Sequence, residues 1–142
     1  MSRYLRNTWY PLTWSSNVER SLKRHTVIEE DMVVYRKVNG DIAALSDACP
    51  HRLAPLSIGR LIGDSIECGY HGMTFDCSGQ CEKIPGQRRI PSNLQVRSYP
   101  VTENMGMVWI WMGDEEKADK SKVFDLKEFH DPQYSYVLGD AL

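Results

Sequence analysis

Four side chains that can bind metal occur in two short segments of the chain. The first segment is Cys-Pro-His at 49–51, and the second is Cys-Gly-Tyr-His at 68–71. Each segment therefore offers one thiol and one imidazole, at the spacings C-x-H and C-x-x-H. Thiolates and imidazoles are good ligands for zinc and for iron. The spacing predicts one metal centre shared by two loops, with Cys49, His51, Cys68 and His71 as its ligands.

Two kinds of centre accept two thiolates and two imidazoles. A mononuclear zinc site does so tetrahedrally, but its usual spacing places two cysteines in one segment and two histidines in the other. In this chain each segment mixes the two ligand types. That mixture favours a dinuclear [2Fe–2S] cluster with the cysteines on one iron and the histidines on the other. A structural zinc module stays open as an alternative.

The residues around the ligands are suited to closely packed loops. Gly69 and Gly72 remove Cβ atoms that would hinder a tight turn, and Pro50 stiffens the first loop. The stretch 58–67 between the loops is long enough to leave and return as a hairpin. We therefore expect a small cluster-binding subdomain at about 47–86.

The rest of the chain predicts an all-β fold. Strands are expected at 32–38 and 41–46, joined at Asn39-Gly40 by a type I′ turn. A strand is expected before them, around 25–28, and others at 95–101 and 107–112. A short helix start is expected at 15–20. After Gly113 the composition changes to a charge run, 114–122, which predicts a solvated linker.

Composition excludes several classes of function. The chain has 142 residues, enough for one domain core, and its net charge is −2, which gives no basic surface for nucleic acid. No apolar run approaches the length of a membrane span, and the first residues lack the pattern of a signal peptide. We therefore expect a cytoplasmic protein that contacts neither nucleic acid nor membrane.

At the two loops the sequence resembles the Rieske iron–sulfur proteins. The residues that carry the resemblance are the paired C-x-H and C-x-x-H motifs, with Arg52 after the first and Gly72 after the second. The segments 7–11, 48–57 and 68–76 are similar, more narrowly, to the amino-terminal domain of Rieske non-haem iron oxygenases. The likeness is to aromatic-ring oxygenases and O-demethylases of the phthalate, vanillate and dicamba kind. The resemblance implies an antiparallel, β-sandwich-like domain carrying a two-loop cluster subdomain.

The resemblance also implies a low reduction potential. Rieske proteins of respiratory complexes have an extra cysteine in each loop, and Ala54 and Tyr70 correspond to those positions. They also have a serine two residues after the second histidine, where this chain has Met73. Fewer hydrogen bonds to the cluster sulfurs disfavour the reduced state. The expected potential is therefore nearer about −150 mV than +300 mV.

Several other residues have weaker functional readings. Arg52 is expected to lie close enough to the cluster to influence it. Cys77 and Cys81 are expected to be reduced and half-buried across a hairpin. The segment 84–86 is either a third loop that shields the cluster or a plain turn. The four tryptophans are expected in a core or interface, and His25 and His130 are expected to have no metal role.

The resemblance implies a relay of single electrons. In such oxygenases a reductase or ferredoxin supplies electrons, which reach a mononuclear Fe(II) in a catalytic domain. No second iron site can be written from this sequence. We therefore expect a Rieske domain at 1–113, and at 114–142 a linker or tail leading to an absent catalytic domain. The full-length protein is expected to be a homotrimer. A free-standing Rieske-type ferredoxin is the alternative, and the substrate cannot be read from these residues.

Overall fold

A computed structural model describes residues 3–50 and 54–135 of the chain. Within that part the protein consists of antiparallel strands connected by turns and short helices, which confirms the all-β prediction. The strands are Thr8–Trp14 (β1), Lys23–Val27 (β2), Glu30–Arg36 (β3), Ile42–Ser46 (β4), Arg60–Ile62 (β5), Ser65–Glu67 (β6), Thr74–Phe75 (β7), Cys81–Lys83 (β8), Val101–Asn104 (β9) and Met107–Met112 (β10).

The helices are short. One α-helix of four residues, Lys127–His130 (α1), occurs in the described part, together with 3-10 helices at Ser15–Asn17, Leu56–Ile58, Glu115–Lys117 and Lys120–Lys122. The helix start expected at 15–20 is thus a single 3-10 turn. None of the helices among these residues is long and apolar enough to cross a membrane.

The chain forms two compact units. Among the described residues, one unit is 18–50 with 54–99, and the other combines 3–17 with 100–135. The first unit contains the sheets β2-β3-β4 and β5-β6-β7-β8, and the second contains the sheet β1-β10-β9. The described residues of the predicted cluster-binding segment, about 47–86, all lie in the first unit.

The unit of residues 18–99 is held together by a core between its two sheets. Side chains from β3 and β4 pack with side chains from the four-stranded sheet, and the members of this core include Val33, Tyr35, Leu45, Ile66 and Phe75. The buried Tyr35 hydroxyl donates to the Asp64 carbonyl oxygen at 2.8 Å, which ties the β5–β6 turn to β3. Burial of this phenol raises its pKa far above the usual range.

The β3–β4 hairpin is confirmed, but its turn differs from the predicted type I′. Gly40 has a positive φ of 95°, whereas Asn39 does not. The Asn39 Oδ1 instead accepts the Asp41 backbone N–H at 2.9 Å, and the Lys37 N–H donates to the Asp41 carbonyl oxygen at 2.7 Å. Such an asparagine-to-backbone bond closes a longer loop without requiring two positive φ angles.

Two positive φ angles occur instead in the preceding hairpin. Ile28 and Glu29 connect β2 to β3 with φ values of 41° and 66°. Residues other than glycine, and β-branched ones above all, rarely adopt positive φ angles, so neither the isoleucine nor the glutamate predicts this turn. The strand register around it, from Val27 paired with Glu30 onward, determines the conformation.

The strand predicted at 95–101 is wrong in its position. Residues 95–99 make isolated bridges and two bonds with β4, from Ser46 N to the Arg97 oxygen and from Tyr99 N to the Ala44 oxygen. The regular strand, β9, begins only after Pro100. Pro100 has no N–H to donate, and its carbonyl accepts the Trp111 N–H at 2.9 Å, so pairing with β10 starts there.

In the other unit, the charge run is attached to the sheet. The Trp9 Nε1–H donates to the Asp119 carbonyl oxygen at 2.9 Å, and the Trp111 Nε1–H donates to the Asp114 carbonyl oxygen at 2.8 Å. Ala118 packs against these tryptophans. The charged side chains are mostly exposed, as expected of a linker, but the backbone that carries them covers an apolar surface.

Candidate metal centre

The first candidate loop begins directly after β4 and ends at a 3-10 helix. Cys49 is buried, with 2% of its surface exposed, and belongs to the core of the unit. The Cys49 N–H donates to the Ala54 carbonyl oxygen at 2.8 Å, which closes the loop. His51 and Arg52, predicted as a ligand and a cluster neighbour, lie outside the described residues.

The second candidate loop connects β6 to β7 and is closed in the same way. Its cysteine, Cys68, is also 2% exposed and belongs to the same core. The Cys68 N–H donates to the Met73 carbonyl oxygen at 2.7 Å, again a bond from a cysteine to the fifth residue after it. Two loops with matching closures therefore present their cysteines to one core.

The tip of the second loop lies at the surface. His71 and Tyr70 are exposed, although Cys68 and Met73 on either side of them are buried. The Tyr70 and His71 rings meet edge to face, with centroids 4.1 Å apart. The loop thus separates its two candidate ligands, because the thiol faces the core and the imidazole lies where another molecule can reach it.

Glycines allow the two loops to pack against each other. A Cβ at Gly69 would lie 3.3 Å from the Ile58 carbonyl oxygen. Gly59 is more restricted, because a Cβ there would overlap the Glu67 carbonyl oxygen and lie 3.1 Å from that of Leu56. Gly72 has a positive φ of 74°. The roles predicted for Gly69 and Gly72 are consistent with this geometry, and the more restricted Gly59 was missed.

A buried carboxylate joins the two ends of the first loop. Asp47, which precedes Cys49 by two residues, accepts the Ser57 backbone N–H and the Ser57 hydroxyl, each at 2.7 Å. Its side chain is fully buried, and the Arg24 Nε lies 3.5 Å from it. Sequence reasoning missed this pair, which is ten residues apart along the chain.

We expect Asp47→Ala to loosen the first loop. The change removes two hydrogen bonds to a buried charged acceptor and leaves the half-buried Ser57 N–H without its partner, at a cost of about 2–4 kcal/mol. Thermal unfolding measures the loss. The exposed Asp41→Ala is the matched control, with an expected effect below about 0.5 kcal/mol. Equal melting temperatures for the two variants would contradict a role for Asp47 in closing the loop.

The segment 84–87 lies beside the second loop. Its turn is closed by a bond from the Gln87 N–H to the Ile84 carbonyl oxygen at 3.0 Å, and Gly86 has a positive φ of 79°. Pro85 contacts the second loop, since a Cβ at Gly72 would lie 3.2 Å from the Pro85 Cγ. An open groove of about 670 Å³ has His71, Met73 and Pro85 in its lining. The turn therefore lies beside the second candidate loop, where a third loop that shields the cluster is expected.

The remaining cysteines and histidines lie apart from this arrangement. Cys77 and Cys81 are free thiols: Cys77 lies on the 76–79 turn and is half-buried as expected, whereas Cys81, just after the turn, is buried rather than half-buried. Burial raises the pKa of Cys81. His25 is on β2, where burial and, to a smaller extent, Lys23 lower its pKa. His130 bonds to Asp125 at 2.7 Å. Among residues 3–50 and 54–135, no three His, Cys, Asp or Glu side chains converge as they would on a single metal ion.

The donor set fits an iron–sulfur cluster. Two buried thiols from one core can supply thiolates, and an exposed imidazole of the second loop can supply a nitrogen ligand. Met73 lies where respiratory Rieske proteins have a serine, and its buried thioether supplies no hydroxyl hydrogen bond.

Comparisons with known proteins agree with this arrangement. A family model described as the Rieske [2Fe-2S] domain matches residues 8–100. The iron–sulfur subunit of the toluene-4-sulfonate monooxygenase system of Comamonas testosteroni is 40% identical over 137 residues, covering 96% of this chain and 40% of that protein. The oxygenase component of dicamba O-demethylase from Stenotrophomonas maltophilia is 39% identical, with the same coverage of both chains.

The fold agrees as well. A crystal structure of dicamba monooxygenase bound to dicamba matches with a TM-score of 0.84 at 38% identity, over 91% of this chain and 39% of that chain. This chain spans about two fifths of the length of these relatives. The match covers both candidate loops and confirms the resemblance found in the sequence. The chain therefore belongs to the Rieske [2Fe–2S] domain family.

Proposed function

We propose that Cys49 and Cys68 bind one iron of the cluster and that His51 and His71 bind the other. The observation that carries this assignment is the pair of identically closed loops that bring both cysteines into one core. A Rieske cluster, when bound, supplies one-electron transfer. The buried cysteines would attach the cluster to the core of the unit, and the exposed His71 would present its imidazole edge to an electron-transfer partner.

The proposal extends to the place of this domain in a larger protein. Electrons would come from a reductase or ferredoxin and would pass to a mononuclear iron in a catalytic domain, to which residues 114–142 lead. Two relatives support this role, one named as the iron–sulfur subunit of a monooxygenase system and the other as an oxygenase component, and each is about two and a half times as long as this chain. A homotrimer in the cytoplasm, where free thiols stay reduced, completes the proposal.

Visible and EPR spectra of the purified chain, together with iron and zinc analysis, test this function. A brown protein with two irons is expected, with a reduced signal of low average g-value and a potential nearer about −150 mV than +300 mV. The buried Met73, which offers no hydroxyl, is the reason for the low potential. A colourless protein that binds one zinc, even after anaerobic reconstitution with iron and sulfide, would refute the electron-transfer role.

A further inference from the structure

Three cations in one short segment have no ion-pair partner among the described residues. Lys83, Arg88 and Arg89 are all exposed, and residues 83–91 include no aspartate or glutamate. The preceding acid, Glu82, accepts the Ser65 hydroxyl at 2.7 Å. The segment therefore carries three positive charges that nothing in the described structure neutralises.

Four other arginines of the same unit are paired with carboxylates. Their pairs are Arg20 with Asp64, Arg24 with Asp31, Arg60 with Glu67 and Arg97 with Glu30. Lys37 has no carboxylate partner in the described structure either, but Lys83, Arg88 and Arg89 lie within seven residues of one another along the chain. This concentration of positive charge singles out the segment 83–91.

Each of the three cations is within two residues, along the chain, of a residue that lines the groove beside His71. The groove is lined by Ile84, Gln87 and Pro91, among other residues. Lys83 directly precedes Ile84, and the arginine pair lies between Gln87 and Pro91 in the chain. Because Pro85 contacts the second loop at Gly72, the segment is fixed against the loop that carries His71. A mostly apolar floor, a candidate ligand and a positive rim therefore form one surface.

We propose that this surface docks an acidic face of the protein that donates electrons. The inference rests on the proposed function and specifies the chemistry of its donor. Interfaces commonly join a dry apolar centre to a charged rim, and complementary charge accelerates encounter. In each encounter the donor loses one electron and this domain gains it, with no bond formed or broken. Docking at this groove places the donor against the exposed edge of His71.

Stopped-flow reduction of the cluster-loaded protein by a reduced acidic plant-type [2Fe–2S] ferredoxin tests the proposal. The wild-type rate constant should fall steeply as salt is added, because screening weakens attraction between exposed charges. The variant R88E/R89E should be about tenfold or more slower at low salt and should approach wild type at high salt. The variant R88K/R89K, which keeps both charges, should keep the wild-type rate.

Two controls separate docking from other effects. K117E/K120E makes the same change in charge at exposed lysines of the other unit and should stay within about twofold of wild type. A basic cytochrome c, used to oxidise the reduced protein, should react faster with R88E/R89E than with wild type. The EPR signal of every variant should match that of wild type.

The outcomes distinguish this inference from the function on which it rests. A wild-type chain that holds no [2Fe–2S] cluster would refute the proposed function. A loaded protein for which R88E/R89E and wild type react equally fast, or whose rate does not depend on salt, would overturn the docking surface alone. The same applies if R88E/R89E slows only the transfer to the catalytic domain of the full-length protein, since the groove would then belong to that contact.

Discussion

Cys68→Ser is expected to abolish the visible absorption and the reduced EPR signal of the protein, with loss of bound iron. A serine hydroxyl does not ionise near neutral pH as a thiol can, so it is a poor replacement for a thiolate ligand. The side chain is 2% exposed, and the new hydroxyl would also be buried in an apolar core. Iron analysis after anaerobic reconstitution measures the loss directly.

Cys77→Ser is the matched control for this experiment. Cys77 is a free, half-buried thiol that packs against the same core, and it lies on the 76–79 turn outside both candidate loops. The variant should keep its iron and its spectrum. For the imidazole ligands, the matched pair of variants is His71→Ala, which should lose the reduced EPR signal, and His25→Ala, which should keep that signal. Equal loss in Cys68→Ser and Cys77→Ser would show that the core, rather than a ligand, had been disturbed.

Gly59→Ala is expected to separate the two loops. The Gly59 φ of −82° suits any residue, so the obstacle is the Glu67 carbonyl oxygen, which a Cβ would overlap. That oxygen belongs to the backbone and cannot rotate away as a side chain can. The strand leading into Cys68 would have to shift, at a cost of about 1–3 kcal/mol. A lower melting temperature and a smaller fraction of iron-loaded protein are the expected results.

Gly40→Ala controls for the general effect of adding a methyl group at a glycine. Gly40 has a positive φ of 95°, but a Cβ there meets no atom within 4 Å. The free energy of unfolding of this variant should fall by about 1 kcal/mol because of backbone strain, and the variant should load iron normally. The role assigned to Gly59 would be wrong if the two variants loaded iron equally well.

The candidate site could be predicted from the sequence to the extent that local spacing determines it. Cys49 and Cys68 are candidate ligands because each has a histidine two or three residues away, and the structure places both in one core. The pairing of Asp47 with Ser57 was not found, because it depends on where the chain returns after the loop. Gly59 was missed for the same reason, since its constraint is a carbonyl eight residues further along the chain.

The fold shows the same division between local and long-range information. The hairpin at 30–46 follows from alternation and a turn dipeptide, and it was predicted. The strand β1 was not predicted, and Pro11 within it is a residue that is unfavourable inside a strand. In the structure the register with β10 shifts between Pro11 and Thr13, and a bulge of this kind is where a sheet tolerates proline.

The covered tryptophans have a consequence for dividing this protein into parts. Composition changes after Gly113, which suggests cutting the chain there for expression. Such a cut would remove the carbonyl groups of Asp114 and Asp119 that accept the two indole N–H groups. It would also uncover a pair of aromatic rings whose centroids lie 5.4 Å apart. A soluble fragment of this unit should therefore extend beyond Val123, whose side chain packs against the same tryptophans.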